Sequence, residues 1–334
     1  MECHEEGIDL VVPWVDGSDP EWKRQREKYI ENKGHESQIY YRDWGLMRYW
    51  FRGVETNIPW IRRIHFITWG HLPLWLNEIH PKLRIVRHED FIPEKYRPVF
   101  SSHSIEALIH NIPDLSEQFI YANDDTYFVG EMRENDFFRN GLPCDCLSIE
   151  PISEYCCDGF GHIIWNNIMV INRNFDMQQC FVNNREKWLS DAYSDRTIEN
   201  NREALRWNRF SGFGMNHYVK PFLKSVFSEV WNKERSILDQ TCCRHFRTDK
   251  DVSNWLMRYW QLASGRFTPY EQPGRVFVRV GDSKEKIRDA VLKKENRIVC
   301  INEGGSDVDY CKRKNYIQEL FQMRFPEMSS FEKY

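Results

Sequence analysis

Phe119-Ile120-Tyr121-Ala122-Asn123-Asp124-Asp125-Thr126-Tyr127-Phe128 is the stretch whose reading decides the fold. Phe119, Ile120 and Tyr121 read as a buried strand, which stops at an Asn-Asp-Asp corner before apolar side chains resume at Tyr127 and Phe128. In open α/β sheets, ligands sit outside the carboxyl ends of the strands. A strand that ends on two carboxylates therefore puts negative charge where a ligand would bind. Asp124 and Asp125 offer oxygen ligands to a hard cation, Mg2+ or Mn2+, of the kind that binds one or two carboxylates together with substrate phosphates. The plain alternative is a polar turn, since Asn and Asp are common turn formers.

Working outward, Ile8–Val15 (Ile-Asp-Leu-Val-Val-Pro-Trp-Val) reads as a first buried strand, and it too ends on acids, at Asp16-Gly17-Ser18-Asp19-Pro20. A glycine there lets backbone come close to a ligand; an Asx turn is the ordinary reading. A charged helix is expected from Glu21 to about Asn32. Trp44, Met47, Phe51 and Val54 recur at helical spacing and predict a second helix over Tyr41–Glu55, opened by Arg42. The helix dipole does not favour a cation at that end, so Arg42 is expected to face an anion or a carboxylate. Ile61–Thr68 and Leu83–Arg87 read as further strands, with connections long enough for crossover helices. The pattern predicts βαβ units and a largely parallel, Rossmann-like α/β sheet.

Residues 101–112 predict a helix begun by a Ser cap. Ile105, Leu108, Ile109 and Ile112 fall on one face, and His103, Glu106 and His110 on the opposite one. That polar stripe could face solvent, line a pocket with Asp124 and Asp125, or hold a transition metal. Further on, 146–152 and 163–171 are apolar enough for strands, and 174–210 reads as a charged helical insertion. Gly212-Phe213-Gly214-Met215-Asn216-His217 is a Gly-rich turn that delivers a histidine, followed by a helix over about 222–232. Arg244, His245 and Arg247 come next, then an aromatic helix over 251–264, an irregular polar segment over 266–295, a last strand at Arg297–Asn302 and a helix over 309–321. There is no internal repeat, so residues 1–334 are expected to form one domain.

With 41% hydrophobic residues in 334, the chain can bury a sizeable core. Its net charge of −4 argues against a dedicated nucleic-acid binder. No apolar run reaches the roughly 18 residues that suggest a membrane span. The ten cysteines, without a signal peptide, suggest reduced thiols and a cytoplasmic protein. None has C-x-x-C spacing, so buried free thiols are expected rather than a zinc site. Peripheral membrane association and oligomeric state are left open.

Strand-end carboxylates, a histidine whose pKa lies near neutrality and arginines able to neutralise phosphate together make the equipment of phosphoryl transfer. The same residues carry a resemblance. Ile8-Asp9-Leu10 through Trp14-Val15-Asp16-Gly17-Ser18-Asp19-Pro20 resembles the first signature region of the Stealth family. Arg42-Asp43-Trp44 through Phe128, with Pro59-Trp60-Ile61-Arg62, Ser104-Ile105-Glu106, His110-Asn111-Ile112-Pro113 and Asn123-Asp124-Asp125, resembles the second. His217, Pro221-Phe222, Arg247 and Asp251 resemble the third, and Cys300-Ile301-Asn302 through Glu332 the fourth. The family includes bacterial capsular-polysaccharide hexose-1-phosphate transferases and the N-acetylglucosamine-1-phosphotransferase that tags lysosomal enzymes.

The resemblance implies a glycosyltransferase-A-like fold and transfer of a sugar-1-phosphate from a UDP-sugar to an acceptor-glycan hydroxyl, with UMP released. It implies a donor site at Asp16, Gly17, Ser18 and Asp19, and further substrate contacts at Glu106, His110, Asn123 and Asn302. Asp124 and Asp125 would hold the metal, His217 would be the base, and Arg247 would stabilise phosphoryl charge with help from Arg42. One departure is that Asn216-His217-Tyr218-Val219 lacks the Pro that often closely follows the His, which leaves His103 and His110 as alternative bases. Two rival readings are a metal-dependent glycosyltransferase that releases UDP and a non-catalytic sugar-binding module.

Overall fold

Strand β1, Asp9–Trp14, lies at the centre of a five-stranded sheet. The computed structural model describes residues 7–30, 41–152, 159–215, 217–303 and 309–333. β2 (Ile64–Thr68) and β3 (Leu83–Arg87) lie to one side of β1, and β4 (Gln118–Tyr121) to the other. All four run parallel, with Leu10 opposite Ile64 and Ile120; β8 (Lys220–Leu223) closes the edge antiparallel to β4. Leu10, Val11 and Val12 are wholly buried, as expected of a strand covered on both faces.

Helices α1 (Pro20–Glu27) and α2 (Met47–Asn57) connect β1 to β2, and α2 buries Trp50 and Phe51 completely. Two short helices, α3 (His88–Phe91) and α4 (Ser102–Ala107), precede β4. β5 (Thr126–Phe128) leaves the main sheet for a smaller one in which β11 (Ile298–Asn302) lies between it and β10 (Arg275–Arg279), and β6 (Phe138–Arg139) and β7 (Leu142–Asp145) join β9 (Thr268–Pro269) in a third. A helical layer follows: α5 (Gly159–Asn174), α6 (Met177–Asn183), α7 (Arg185–Trp188) and α8 (Asp195–Ala204). After β8 come α9 (Lys224–Lys233), α10 (Arg235–Cys242) and α11 (Trp255–Ala263). The chain ends with β10 (Arg275–Arg279), α12 (Lys284–Leu292), β11 (Ile298–Asn302) and α13 (Tyr310–Arg324). Among the described residues no helix is long and apolar enough to cross a membrane. The seven described cysteines are unpaired, while Cys3, Cys156 and Cys157 lie outside the described residues.

Several expectations are corrected. Residues 163–171 are helical, part of α5, and 146–152 form no strand. In α5 the buried positions Ile163, Ile164, Asn167, Ile168 and Ile171 recur every three or four residues, but buried Asn167 interrupts the apolar signal. Its side chain is satisfied by Ser253, 3.1 Å away. The segment 266–295 is not irregular, since it holds β9, β10 and α12. No helix connects β2 to β3. β8 replaces the start of the helix expected at 222, and Pro221 is tolerated because β8 is an edge strand. Arg42 lies ahead of α2, which begins at Met47 with Leu46 as its cap. Ser101 occupies the cap position of α4, but its hydroxyl bonds to no described group. The Glu21–Asn32 helix ends at Glu27, and Glu31–Asn32 lie outside the described residues.

Two buried ion networks fasten this frame. At the amino end of β1, Asp9 takes bonds from Arg62 at 2.8 and 2.6 Å, from the Ser116 amide at 2.8 Å, and faces His65 at 3.0 Å. The hydrogen bonds from His65 and Arg62 outweigh the cost of burial and hold the Asp9 carboxyl below its ordinary range. On the far side of α2, Arg52 grips Glu332 through two bonds of 2.7 and 2.8 Å and the Phe325 carbonyl at 2.8 Å, tying the final residues back to the core.

Candidate active site

The sheet order reverses between β1 and β4, and a cavity of about 320 Å³ opens over that point. The carboxyl ends of β2, β1 and β4 and the amino end of the antiparallel β8 all reach it. Trp69, then Trp14 and Val15, then Asn123, Asp124 and Asp125, then His217 and Lys220 line it in that order across the sheet. Arg247, Arg42, Glu106 and Asn302 line the same cavity.

The corner after β4 is built by its own backbone, with the Thr126 amide bonding the Asn123 carbonyl at 3.1 Å. Asp125 is well partnered. Its Oδ1 accepts from Thr126 Oγ1 at 3.1 Å, and its Oδ2 accepts from Asn302 Nδ2 at 3.2 Å and faces His217 Nε2 at 3.4 Å. Burial alone would raise its pKa, but the His217 and Asn302 contacts lower it below the ordinary value. Asn123 Nδ2 lies 3.2 Å from His217 Nε2. Asp124 is different: it takes a bond from its own backbone amide and from no described side chain. Its carboxylate is open to the cavity yet surrounded by protein. That enclosure, with the charges of Asp125 and Asp43, pushes it up to about 7.

This donor set fits a hard divalent cation. Among the described residues no side chain competes for Asp124, an oxygen ligand beside a second carboxylate, and a cation would relieve the repulsion that adds to burial in raising its pKa. Asp125, His217 and Cys300 also bring ligand atoms within 4.8 Å of one another. Cys300 is fully buried, however, and burial drives its thiol far above the ordinary range, so it stays protonated and is a poor ligand.

The arginines are held in different ways. Arg247 donates to Ser102 Oγ at 2.6 Å. Its loop is anchored by Asp251, which is wholly buried and bonded to Arg244 at 2.8 Å and to the Thr248 amide and hydroxyl, each at 2.9 Å. His103 also faces Asp251, at 3.4 Å, and lines the cavity. Arg42 finds the carboxylate partner expected of it, Glu303 at 3.1 Å, which Trp44 also bonds at 2.7 Å.

The loop bearing His217 is braced from α11. Arg258 donates to the Gly214 carbonyl at 2.9 Å while Asp145 holds its guanidinium through two bonds of 2.7 and 2.8 Å.

Not every expected residue converges. The turn Asp16–Asp19 stands beside the cavity, but its side chains serve the turn itself. Asp16 accepts from the Ser18 amide and hydroxyl at 2.8 and 2.6 Å, and Asp19 caps α1 by accepting from Trp22 at 2.7 Å. Gly17 is needed because a Cβ there would lie 2.1 Å from the Tyr41 carbonyl, so its close approach is to backbone rather than to ligand. His110 does not line the cavity; its ring packs near Phe227 and Trp231. Sequence reasoning passed over Lys220, Trp255, Asn254 and Asp43. A lone Lys inside the apolar run Val219–Leu223 was the available signal for the first.

Comparison with known proteins bears on the same residues. The pattern described as Stealth protein CR1, conserved region 1, matches residues 6–34, and that of Stealth protein CR2, conserved region 2, matches 40–144. A capsular polysaccharide phosphotransferase, WcwK of Streptococcus pneumoniae, is 37% identical over 98% of this chain and 99% of its own. An exopolysaccharide phosphotransferase, cps2G of Lactiplantibacillus plantarum, is 33% identical over 98% of this chain and 96% of its own. The bifunctional glycosyltransferase WbbM superposes with a TM-score of 0.39 at 9% identity, over 98% of this chain and 53% of that one, too slight a likeness to carry an argument. With both conserved regions matched and relatives aligned nearly end to end, this chain belongs to the Stealth family and is an enzyme of the phosphotransferase class.

Proposed function

We propose that the chain transfers a hexose-1-phosphate or N-acetylhexosamine-1-phosphate from a UDP-sugar to a glycan hydroxyl, forming a phosphodiester and releasing UMP, in the synthesis of a capsular or other cell-surface polysaccharide. The observation that carries this reading is the convergence of Asp124, Asp125, His217 and Arg247 on one cavity at the sheet's reversal point. The fold is read as glycosyltransferase-A-like on the same ground, with the donor at the ends of β1 and β4 beside the Asp16–Asp19 turn. The seven described cysteines, all unpaired, agree with a cytoplasmic setting.

Asp124, with Asp125 beside it, would hold Mg2+ or Mn2+, which when bound supplies positive charge to the donor diphosphate. Asp125 orients the His217 imidazole through Nε2, which leaves Nδ1 to take the proton of the attacking acceptor hydroxyl. Arg247 neutralises charge on the transferred phosphoryl group. Arg42, already paired with Glu303, has less charge to offer, and we place it at the rim of the site.

The acceptor oxygen bonds to the β-phosphorus as the bond from that phosphorus to the bridging oxygen breaks, and the electron pair leaves with UMP. The test is incubation with a panel of UDP-sugars, glycan acceptors and Mg2+ or Mn2+. Release of UMP with a phosphodiester 31P resonance is expected. Release of UDP would transfer the case to the rival glycosyltransferase chemistry.

A further inference from the structure

Lys220 is buried, only 4% exposed, yet it lies on the cavity wall. Its ammonium is fixed over the Trp255 ring at 4.4 Å and near the Tyr121 ring at 5.6 Å. It makes no hydrogen bond or ion pair with a described residue. With no acceptor among the described residues and a place on the cavity wall, the ammonium is positioned to donate to an oxygen from outside the chain.

Across the cavity wall Glu106, 8% exposed, accepts from Tyr121 Oη at 2.9 Å. Among the carboxylates whose charge Lys220 feels, Glu106 acts most strongly, yet the two do not meet in an ion pair. A donor and an acceptor that face one cavity without touching are a match for a hydroxyl, which accepts from one and donates to the other. Asn254 and the half-exposed Phe160 line the same cavity. An amide, an apolar ring and a charged pair suit a sugar better than a phosphate. The sheet order also separates this group from the donor end, because Lys220 stands on β8, beyond β4 from β1.

We propose that Lys220 and Glu106 form the acceptor-sugar subsite, gripping one hydroxyl of the acceptor hexose between them, with Phe160 and Asn254 beside the ring. This assignment rests on the phosphotransferase reading for the word acceptor, but the sugar binding can be tested without catalysis. The probes are methyl glycosides of glucose, galactose, N-acetylglucosamine and N-acetylgalactosamine, titrated by NMR into the full chain with Mg2+, and UDP titrated separately by calorimetry.

At least one glycoside should bind the wild type. Lys220→Met and Glu106→Gln should each weaken it roughly ten- to hundredfold, as expected for a lost hydrogen bond to a charged group. UDP affinity should stay within about twofold, because neither change touches the β1 end of the cavity. Lys220→Met keeps the volume and apolar contacts of the stem, and Glu106→Gln keeps the shape, so either variant alone decides the case if the other fails to fold. Binding of no glycoside by the wild type, unaltered glycoside binding in the folded variants, or a loss of UDP affinity in Lys220→Met would each overturn the proposal. Release of UDP instead of UMP in the turnover assay would sink the reaction assigned above while leaving these titrations standing.

Discussion

The two ends of the central sheet each carry an acid, buried at one end and open to the cavity at the other, and they treat it in opposite ways. At the amino end Asp9 is saturated by Arg62, His65 and the Ser116 amide, and its pKa is held down. At the carboxyl end Asp124 has no side-chain partner among the described residues, and its pKa is pushed up to about 7. A saturated buried charge belongs to the fold, because its solvation has been rebuilt from protein groups. An unsaturated carboxylate at the reversal point of the sheet is free to serve a ligand. Asp125 stands between these cases, partnered by Thr126, Asn302 and His217 while still bordering the cavity.

The largest effect expected is at the ligand end. His217→Ala should lower turnover by roughly 10²–10⁴-fold while leaving the melting temperature unchanged, since its side chain is 35% exposed; a variant with near-normal turnover would move the base to His103. At the other end the pattern reverses: Asp9→Asn should cost about 3–5 kcal/mol of stability in urea unfolding, with substrate KM values unchanged in the folded fraction. If Asp124→Asn costs as much stability, the contrast between the two ends collapses.

A milder effect separates the ends through metal. At a hundredfold excess over its Kd, Mg2+ should stabilise the wild type by about 2.7 kcal/mol. Asp124→Asn should lose that dependence, and Asp9→Asn should keep it; thermal melts across a Mg2+ series read both. The smallest effect is the acid limb. Because Asp9 has a folded pKa below its ordinary 3.8, its stabilisation is complete above that value and is lost as pH falls through the folded pKa. The wild type should therefore show a steeper fall in stability below pH 3.8 than Asp9→Asn.

The sheet was legible because its strands are short apolar runs that stop on turn residues: Leu10–Val12, Phe66–Ile67 and Phe119–Tyr121 could be buried only one way. α5 was misread because an apolar run signals burial before it signals period, and Asn167 hides the helical repeat. β8 was missed because Lys220 and Pro221 are poor strand formers. Tertiary context overrides them, the one by the Trp255 ring and the other by the edge position. At the site, Asp124, Asp125 and His217 stood out as polar residues at predicted corners, whereas Arg247 was set apart from Arg244 and His245 only by the family resemblance. The Asp16–Asp19 turn looked equally functional, yet its polar atoms are spent on its own geometry. No periodicity in the sequence separates a turn that feeds itself from one that feeds a ligand.

Helix α11 carries Arg258, which braces the Gly214 carbonyl three residues before His217, and it opens with Trp255, whose ring fixes Lys220. The proposed proton acceptor and the proposed grip on the incoming sugar are therefore both braced from one helix. A change that displaces that helix is expected to disturb both at once. Variants selected for a bulkier incoming sugar should accumulate changes on the wall facing α11 and spare the helix itself.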